Sequence, residues 1–331
     1  MIAAASRLRR LGRKALRRSL PGFPWRMRPV ILMYHCIDDD SFDPWGLSVS
    51  PENFETQVKW LAANRTVLSL ADFAEMHAAG SLPPDGTAIT FDDGYASFAD
   101  TAAPILERER VPATIFLPAG LIGQRQEFWW DRLARLILGF EGGRLQVLGE
   151  MFDLGPPQPD EREWRPNQRP STPRQRLFQD IWARIRTRPI NEIDRILGEI
   201  EGRSPGVAPI PSKLLMTAEQ AKAVNSALVE VGSHSLTHPS LPAISAAEKR
   251  REICCSIERC ESLTGRQPRT FAYPFGDYDE ESRTLVEECR FACACTTERR
   301  PVDPRDRLST LPRVGMGNWD IVLTSRVLVE I

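Results

Sequence analysis

The sequence predicts an α/β fold built on a parallel sheet or barrel. Short apolar, β-branched runs such as Val30-Ile31-Leu32-Met33-Tyr34 and Ala88-Ile89-Thr90-Phe91 read as buried strands. Stretches with helical spacing of apolar residues lie between them, as at Phe54, Val58 and Leu61. That alternation is the signature of strand–helix–strand units. A chain of 331 residues with 42% hydrophobic and 26% charged residues can bury a sizeable core. Its net charge of −1 argues against nucleic-acid binding over the whole surface. No apolar run is long enough to span a membrane.

Residues 1–28 carry nine arginines and lysines, from Arg7 to Arg28, and no acid, with leucines interspersed. This is read either as a basic amphipathic helix on an anionic membrane surface or as a solvated tail. The arginines interrupt any apolar core, so a secretory leader is not expected. Residues 29–35 open the globular part as a strand ending in His35. Ser50-Pro51 starts a helix, residues 67–70 form a strand, and residues 71–79 form a helix with His77 on its solvated side. The strand before Asp92 comes next, then a helix over 97–108 and a strand over 112–117. A mostly helical insertion is expected at about 120–212. In order it contains a helix beginning at Phe128-Trp129-Trp130-Asp131, a hairpin over 144–154, a proline-rich loop over 156–173 and helices over 174–187 and 190–202. Later elements are a strand end over 229–239, a helix from Ser245 with Gly265 past its end, a strand-like run over 270–276, a helix over 279–289, a strand over 291–296, a closing segment at 311–318 and a terminal helix. The seven cysteines form no regular disulfide framework. Free buried thiols would suit a reducing, cytoplasmic compartment.

Three strand ends carry chemistry. Thr90-Phe91-Asp92-Asp93-Gly94 places adjacent carboxylates at the end of an apolar strand. Neighbouring residues on extended chain point opposite ways, so one carboxylate can face a metal while the other faces a reacting water. Taken alone, Asp-Asp-Gly is as readily a turn capping the next helix. His234 and His238, two of only four histidines, end a second strand in a spacing that puts both rings on one face of a helical turn. Phe271-Ala272-Tyr273-Pro274-Phe275-Gly276 ends a third. Two imidazoles and one carboxylate make three ligands with a position left for water, the pattern of a catalytic zinc-type site.

In this order the motifs resemble those of the polysaccharide deacetylases of the NodB-homology type, carbohydrate esterase family 4. The resemblance runs from about residue 29 to 317, broken by the insertion. It implies a deformed (β/α) barrel with its site at the strands' C-terminal ends. It further implies Asp92 as catalytic base and Asp93, His234 and His238 as ligands of one divalent ion, zinc first, with cobalt or nickel as substitutes. Such an ion polarises an amide carbonyl and acidifies water. The resemblance also places an oxyanion donor at the Tyr273 backbone N–H. Two departures stand out. Many relatives have an arginine at the position of Ala272, where it braces the base; Arg269 or Arg313 could replace it. Many also take their acid histidine from a C-terminal Leu-x-x-His, and no histidine follows His238. The motif layout is similar to that of bacterial poly-N-acetylglucosamine deacetylases, in which an early histidine is the acid, and this implies His35. Tyr273, Pro274, Trp129, Trp130 and Arg313 are the expected substrate contacts, with the anchor reading, in which they hold the insertion to the barrel, favoured for at least one of the tryptophans. The expected substrate is an N-acetylated amino sugar in a glycan or glycolipid precursor. The alternatives are an O-acetyl ester or small amide, or a barrel that only binds glycan.

Overall fold

The computed structural model describes residues 27–39, 42–158, 161, 164–203 and 208–330. The basic stretch 1–26, and the surface helix expected there, lies outside them. Eight parallel strands make the main sheet: β1 (Val30–Tyr34), β4 (Thr66–Leu68), β5 (Gly86–Phe91), β6 (Ala113–Leu117), β9 (Val229–Ser233), β10 (Thr270–Ala272), β11 (Cys293–Cys295) and β12 (Val314–Gly315). Two short pairs lie apart from this sheet, β2 (Cys36–Ile37) with β3 (Ser48–Val49), and the insertion hairpin β7 (Arg144–Val147) with β8 (Glu150–Asp153). The order β11-β10-β9-β6-β5-β1-β12 curls on itself, with β4 on the lower half of β5. Leu311 bridges to Cys295 at one edge, and Val314 pairs with Leu32 at the other. The segment 311–315 therefore closes a deformed (β/α) barrel.

The central strands are buried on both faces, which is why β5 reads as unbroken apolar sequence and is buried at all six positions. Thr90 tolerates this because its hydroxyl donates to the Leu32 carbonyl at 2.8 Å. Helices start where side chains cap them. Ser50 accepts from Asn53 N–H ahead of helix Pro51–Asn64, and Ser245 with Glu248 forms a capping box ahead of helix Ala246–Thr264. The helix expected over 97–108 instead begins as a π-helical turn, Phe98–Ala102, before Ala103–Glu109. Pro104 supplies no N–H, and the ladder slips by one residue where the Ala103 N–H reaches the Phe98 carbonyl.

Cys254 and Cys289 are joined in a disulfide. Helices Ala246–Thr264 and Glu280–Glu288 lie side by side and bring the two Cα atoms to 6.1 Å. The expectation of free thiols throughout does not hold, and the compartment argument built on it lapses. His77 is half-buried rather than solvated, its Nε2 donating to the Asp306 carbonyl at 2.9 Å. Among the described residues no helix is long and apolar enough to cross a membrane.

Candidate active site

The chemical residues gather at the C-terminal ends of the strands: His35 after β1, Asp92 and Asp93 after β5, His234 after β9, Tyr273 to Phe275 after β10, and Arg313 just before β12. Gly94 turns the chain after Asp93 with φ 68°, and a Cβ there would lie 2.9 Å from Leu117. The H-x3-H segment is an irregular loop and not the helical turn its spacing suggested. Ser235 and His238 take φ of 63° and 60°, and Glu252 from helix Ala246–Thr264 accepts from the N–H groups of Leu236 and Thr237 and from the Thr237 hydroxyl. Asp93 (φ 74°) and Phe275 (φ 59°) are also left-handed. Each such residue costs on the order of 1–3 kcal/mol, and clusters of them mark sites held to a geometry.

Asp93, His234 and His238 bring one ligand atom each to within 4.8 Å of one another, and all three residues are buried. Nε2 of His234 is 3.4 Å from Asp93 Oδ1, and Nε2 of His238 is 3.3 Å from the same oxygen. Atoms bound at about 2.0–2.1 Å in a tetrahedral site lie about 3.3–3.4 Å apart, so the spacing fits a small divalent ion. The hydrogen bonding fits as well. His234 Nδ1–H donates to the Ala272 carbonyl at 2.7 Å, which leaves the Nε2 lone pair of a neutral ring facing a carboxylate oxygen. Two lone pairs at that distance repel unless a proton or a cation lies between them. Burial by itself would raise the Asp93 pKa, but the two histidines outweigh it and hold the carboxyl far below the usual range. Burial lowers His238, whereas in His234 Asp93 and Asp92 overcome it and raise the pKa.

Asp92 is fixed by Arg313. Nη1 donates to Oδ1 and Nη2 to Oδ2, both at 2.7 Å, while Nε donates to the Thr296 carbonyl at 2.9 Å. Burial would push Asp92 up; the guanidinium reverses this and keeps it ionised. Of the two candidates for the missing arginine, Arg313 is therefore the one that reaches Asp92. Arg269 pairs with Glu75 on the exposed surface. His35 is half-buried and close enough to Asp92 and Asp93 to lower the pKa of both.

Several expected substrate contacts are corrected. Arg313 is 0% exposed behind Asp92 and does not line the cleft. The Tyr273 N–H is spent on the Cys295 carbonyl in the sheet ladder, so it is not free for an oxyanion; its hydroxyl donates to the Ser309 carbonyl, and the side chain is buried. Pro274 is buried too. Trp129 and Trp130 are 7% and 6% exposed and act as anchors. Trp130 stacks on Phe128 at 4.1 Å and lies 4.8 Å from the His238 ring, and its Nε1 donates to the Tyr95 hydroxyl, which donates in turn to Asp131 at 2.7 Å. Burial pushes the Asp131 carboxyl up to about 7 despite that bond. The aromatic face at the site mouth belongs to Phe275, 38% exposed and 4.5 Å from His238. Its place between Pro274 and Gly276 was the available signal.

A family model described as polysaccharide deacetylase matches residues 79–139 and 206–294, passing over the stretch that carries the β7–β8 hairpin and two insertion helices. This match covers under half of the chain, and on it the chain is similar to the polysaccharide deacetylases. Among curated relatives, a poly-β-1,6-N-acetyl-D-glucosamine N-deacetylase of Escherichia coli (strain K12) is 34% identical over 93 residues, 28% of this chain and 14% of that protein. One of Staphylococcus aureus (strain N315) is 36% identical over 89 residues, 27% of this chain and 31% of that protein. The chain thus spans under a third of the length of these relatives. The barrel of this chain is also similar to that of a Streptococcus pyogenes deacetylase, PplD, in complex with acetate, with a TM-score of 0.57 at 17% identity, covering 88% of this chain and 93% of that one. A polysaccharide deacetylase from Bacillus cereus gives a TM-score of 0.57 at 19% identity, covering 91% and 69%.

Proposed function

We propose that the protein is a metal-dependent hydrolase that removes N-acetyl groups from amino sugars of the N-acetylglucosamine type in a glycan. In this reading residues 29–331 form the deacetylase barrel, with the insertion at about 120–212. The observation that carries it is one buried carboxylate, Asp92, kept ionised by Arg313 beside a second, Asp93, that faces two imidazoles. When bound, a divalent ion supplies a Lewis acid for the acetyl carbonyl and acidifies water; two imidazoles and a carboxylate suit zinc, with cobalt or nickel as substitutes. Asp92 accepts the proton of the attacking water, and Arg313 keeps it charged and oriented. His35 donates a proton to the amine as the carbon–nitrogen bond breaks, since an amine leaves poorly unprotonated. Acetate and a free amino sugar result. The basic residues of 1–28 support peripheral contact with an anionic membrane surface.

The test combines metal content with acetate release. Asp93→Ala and His234→Ala should lose a bound ion that wild type holds at about one per chain. Asp92→Asn and His35→Ala should keep the ion and lose on the order of 10²–10⁴-fold in kcat on N-acetylglucosamine oligosaccharides. An activated acetate ester, whose leaving group needs no proton, should be far less sensitive to His35→Ala. Equal losses on amide and ester would remove His35 as the acid, and full ion retention in both ligand variants would sink the metal assignment.

A further inference from the structure

A second aromatic site lies in the insertion. A groove of about 500 Å³ is lined by Trp45, Phe178, Trp182, Arg165, Asn167 and Gln179, within the roughly 300–1,000 Å³ of small-molecule sites. Trp45 and Trp182 are half-buried, their ring centroids 6.1 Å apart and their planes inclined at 44°, with Phe178 buried 5.6 Å from Trp45. Two tilted indole faces over a phenyl floor suit the apolar CH face of a pyranose ring. The polar atoms are donors in excess. Trp45 Nε1, Arg165 Nη1 and the adjoining Trp164 Nε1 are buried with no hydrogen-bond partner among the described residues. Each is also sealed from solvent, so an occupant meets these donors only by displacing the side chains that cover them. Gln179 Nε2 is spent on the carbonyls of Pro166 and Gln168, which holds that wall in place.

The groove is tied to both rims of the candidate active site. Trp45 stands in the loop that leaves His35 and β2. Trp182 lies 4.7 Å beneath the guanidinium of Arg186, one helical turn on, whose Nη2 is 3.8 Å from Asp277 Oδ2. Asp277 follows Phe275 and Gly276, and Phe275 lies against His238. An extended occupant seated between the tryptophans is therefore bordered by the loop that follows His35 and, through Arg186 and Asp277, by the segment that carries Phe275.

We propose that this groove is a remote glycan subsite, holding an N-acetylated stretch of the same chain whose sugar is being deacetylated. The inference rests on the deacetylase reading for its substrate. Hydroxyl and acetamido oxygens are acceptors for the donor-bearing side chains of the lining, Asn167 and Arg165. An unpartnered guanidinium nitrogen repels a free, protonated amine, so the subsite favours sugars not yet deacetylated.

The test uses the full chain and the variants Trp45→Ala, Trp182→Ala and Arg165→Met, with Tm confirming that each folds. For a β-linked N-acetylglucosamine hexasaccharide, KM should rise on the order of tenfold, about 1.4 kcal/mol, with kcat little changed. The disaccharide and an activated acetate ester should be hydrolysed as by wild type. Equal losses on short and long substrates, or none on the long one, overturn the proposal. Direct titration separates it from the deacetylase reading. In Asp92→Asn protein the N-acetylated hexasaccharide should change tryptophan fluorescence, its deacetylated counterpart should bind more weakly, and Trp45→Ala should abolish the change. If wild type releases no acetate from any oligosaccharide, the deacetylase reading fails while this titration still decides the subsite. Failure to bind, or binding only of a proline-rich peptide, rejects a glycan subsite.

Discussion

The Arg313–Asp92 pair is buried at 0% and 4% side-chain exposure, where desolvation is severe and only complete hydrogen bonding offsets it. Here the pairing is bidentate, and the third guanidinium nitrogen is bonded to Thr296. The arginine favours the charged carboxylate and so lowers its pKa, leaving Asp92 ionised at any pH above that value; in the proposed mechanism the base is lost as pH falls through it. Arg313→Lys replaces a planar fork with a point charge that cannot meet both oxygens. The acid limb of the pH–rate profile should move to higher pH, and the plateau kcat should fall by up to roughly 10²-fold, the cost of a misplaced catalytic group. A profile that keeps its acid limb would show that Asp92 is not the titrating base. The same substitution should also destabilise the fold at neutral pH, because the carboxylate stabilised by the arginine remains buried with a poorer partner.

At the scale of elements, two strand ends are held by what lies beneath and beside them. Strand β9 runs against Phe116, and a Cβ on Gly232 would fall 2.5 Å from that ring and 2.8 Å from the Thr270 hydroxyl oxygen. The Phe116 ring in turn lies 5.6 Å below the Arg313 guanidinium and 6.4 Å from the His234 ring. Gly232→Ala should therefore cost roughly 1–3 kcal/mol of stability by overpacking and weaken metal retention at the same time. Calorimetry with metal analysis checks this; a lowered Tm with unchanged metal affinity would show that Phe116 yields without disturbing the site. Beyond the strand, the His234–His238 loop depends on three hydrogen bonds to Glu252, so a residue of a neighbouring helix sets the position of His238.

Across the whole molecule the insertion is continuous with the barrel. Leu133, Leu136 and Ile137 of helix Trp129–Ile137 belong to one buried cluster with Phe178 and Ile181 of helix Pro173–Ile185, Ile196 and Leu197 of helix Ile190–Glu201, and Tyr95 and Leu117 of the barrel. Arg135 adds hydrogen bonds to Glu127 and Glu201, and Arg174, fully buried, donates to the carbonyls of Ile137 and Phe140. A shared core of this kind should unfold cooperatively. Thermal denaturation followed by near-UV and far-UV circular dichroism should give one coincident transition. Two separated transitions would mean that the insertion folds independently and is not braced by the Trp129–Trp130 junction.

Local chemistry made much of this legible before any fold was known. Paired carboxylates before a glycine, two histidines at a strand end and apolar runs bounded by Pro and Gly are short-range signals that suggested two imidazoles and a carboxylate in one site; the deformed barrel and the separate roles of Asp92 and Asp93 came from the family resemblance. The rest depended on which distant segments meet. Arg313 rather than Arg269 braces Asp92 because β12 closes the barrel against β1, the neighbour of β5, whereas Arg269 sits ahead of β10 at the other end and pairs with Glu75. The Tyr273 N–H was lost to a ladder bond that no local pattern announces. Trp129 and Trp130 became anchors because the insertion packs over them, and Phe275 took the exposed face. The aromatic groove joins residues 45, 165 and 182, a juxtaposition made by folding a proline-rich loop and a helix onto the segment after β1. Periodicity describes one element at a time, and such meetings are set by the packing between elements.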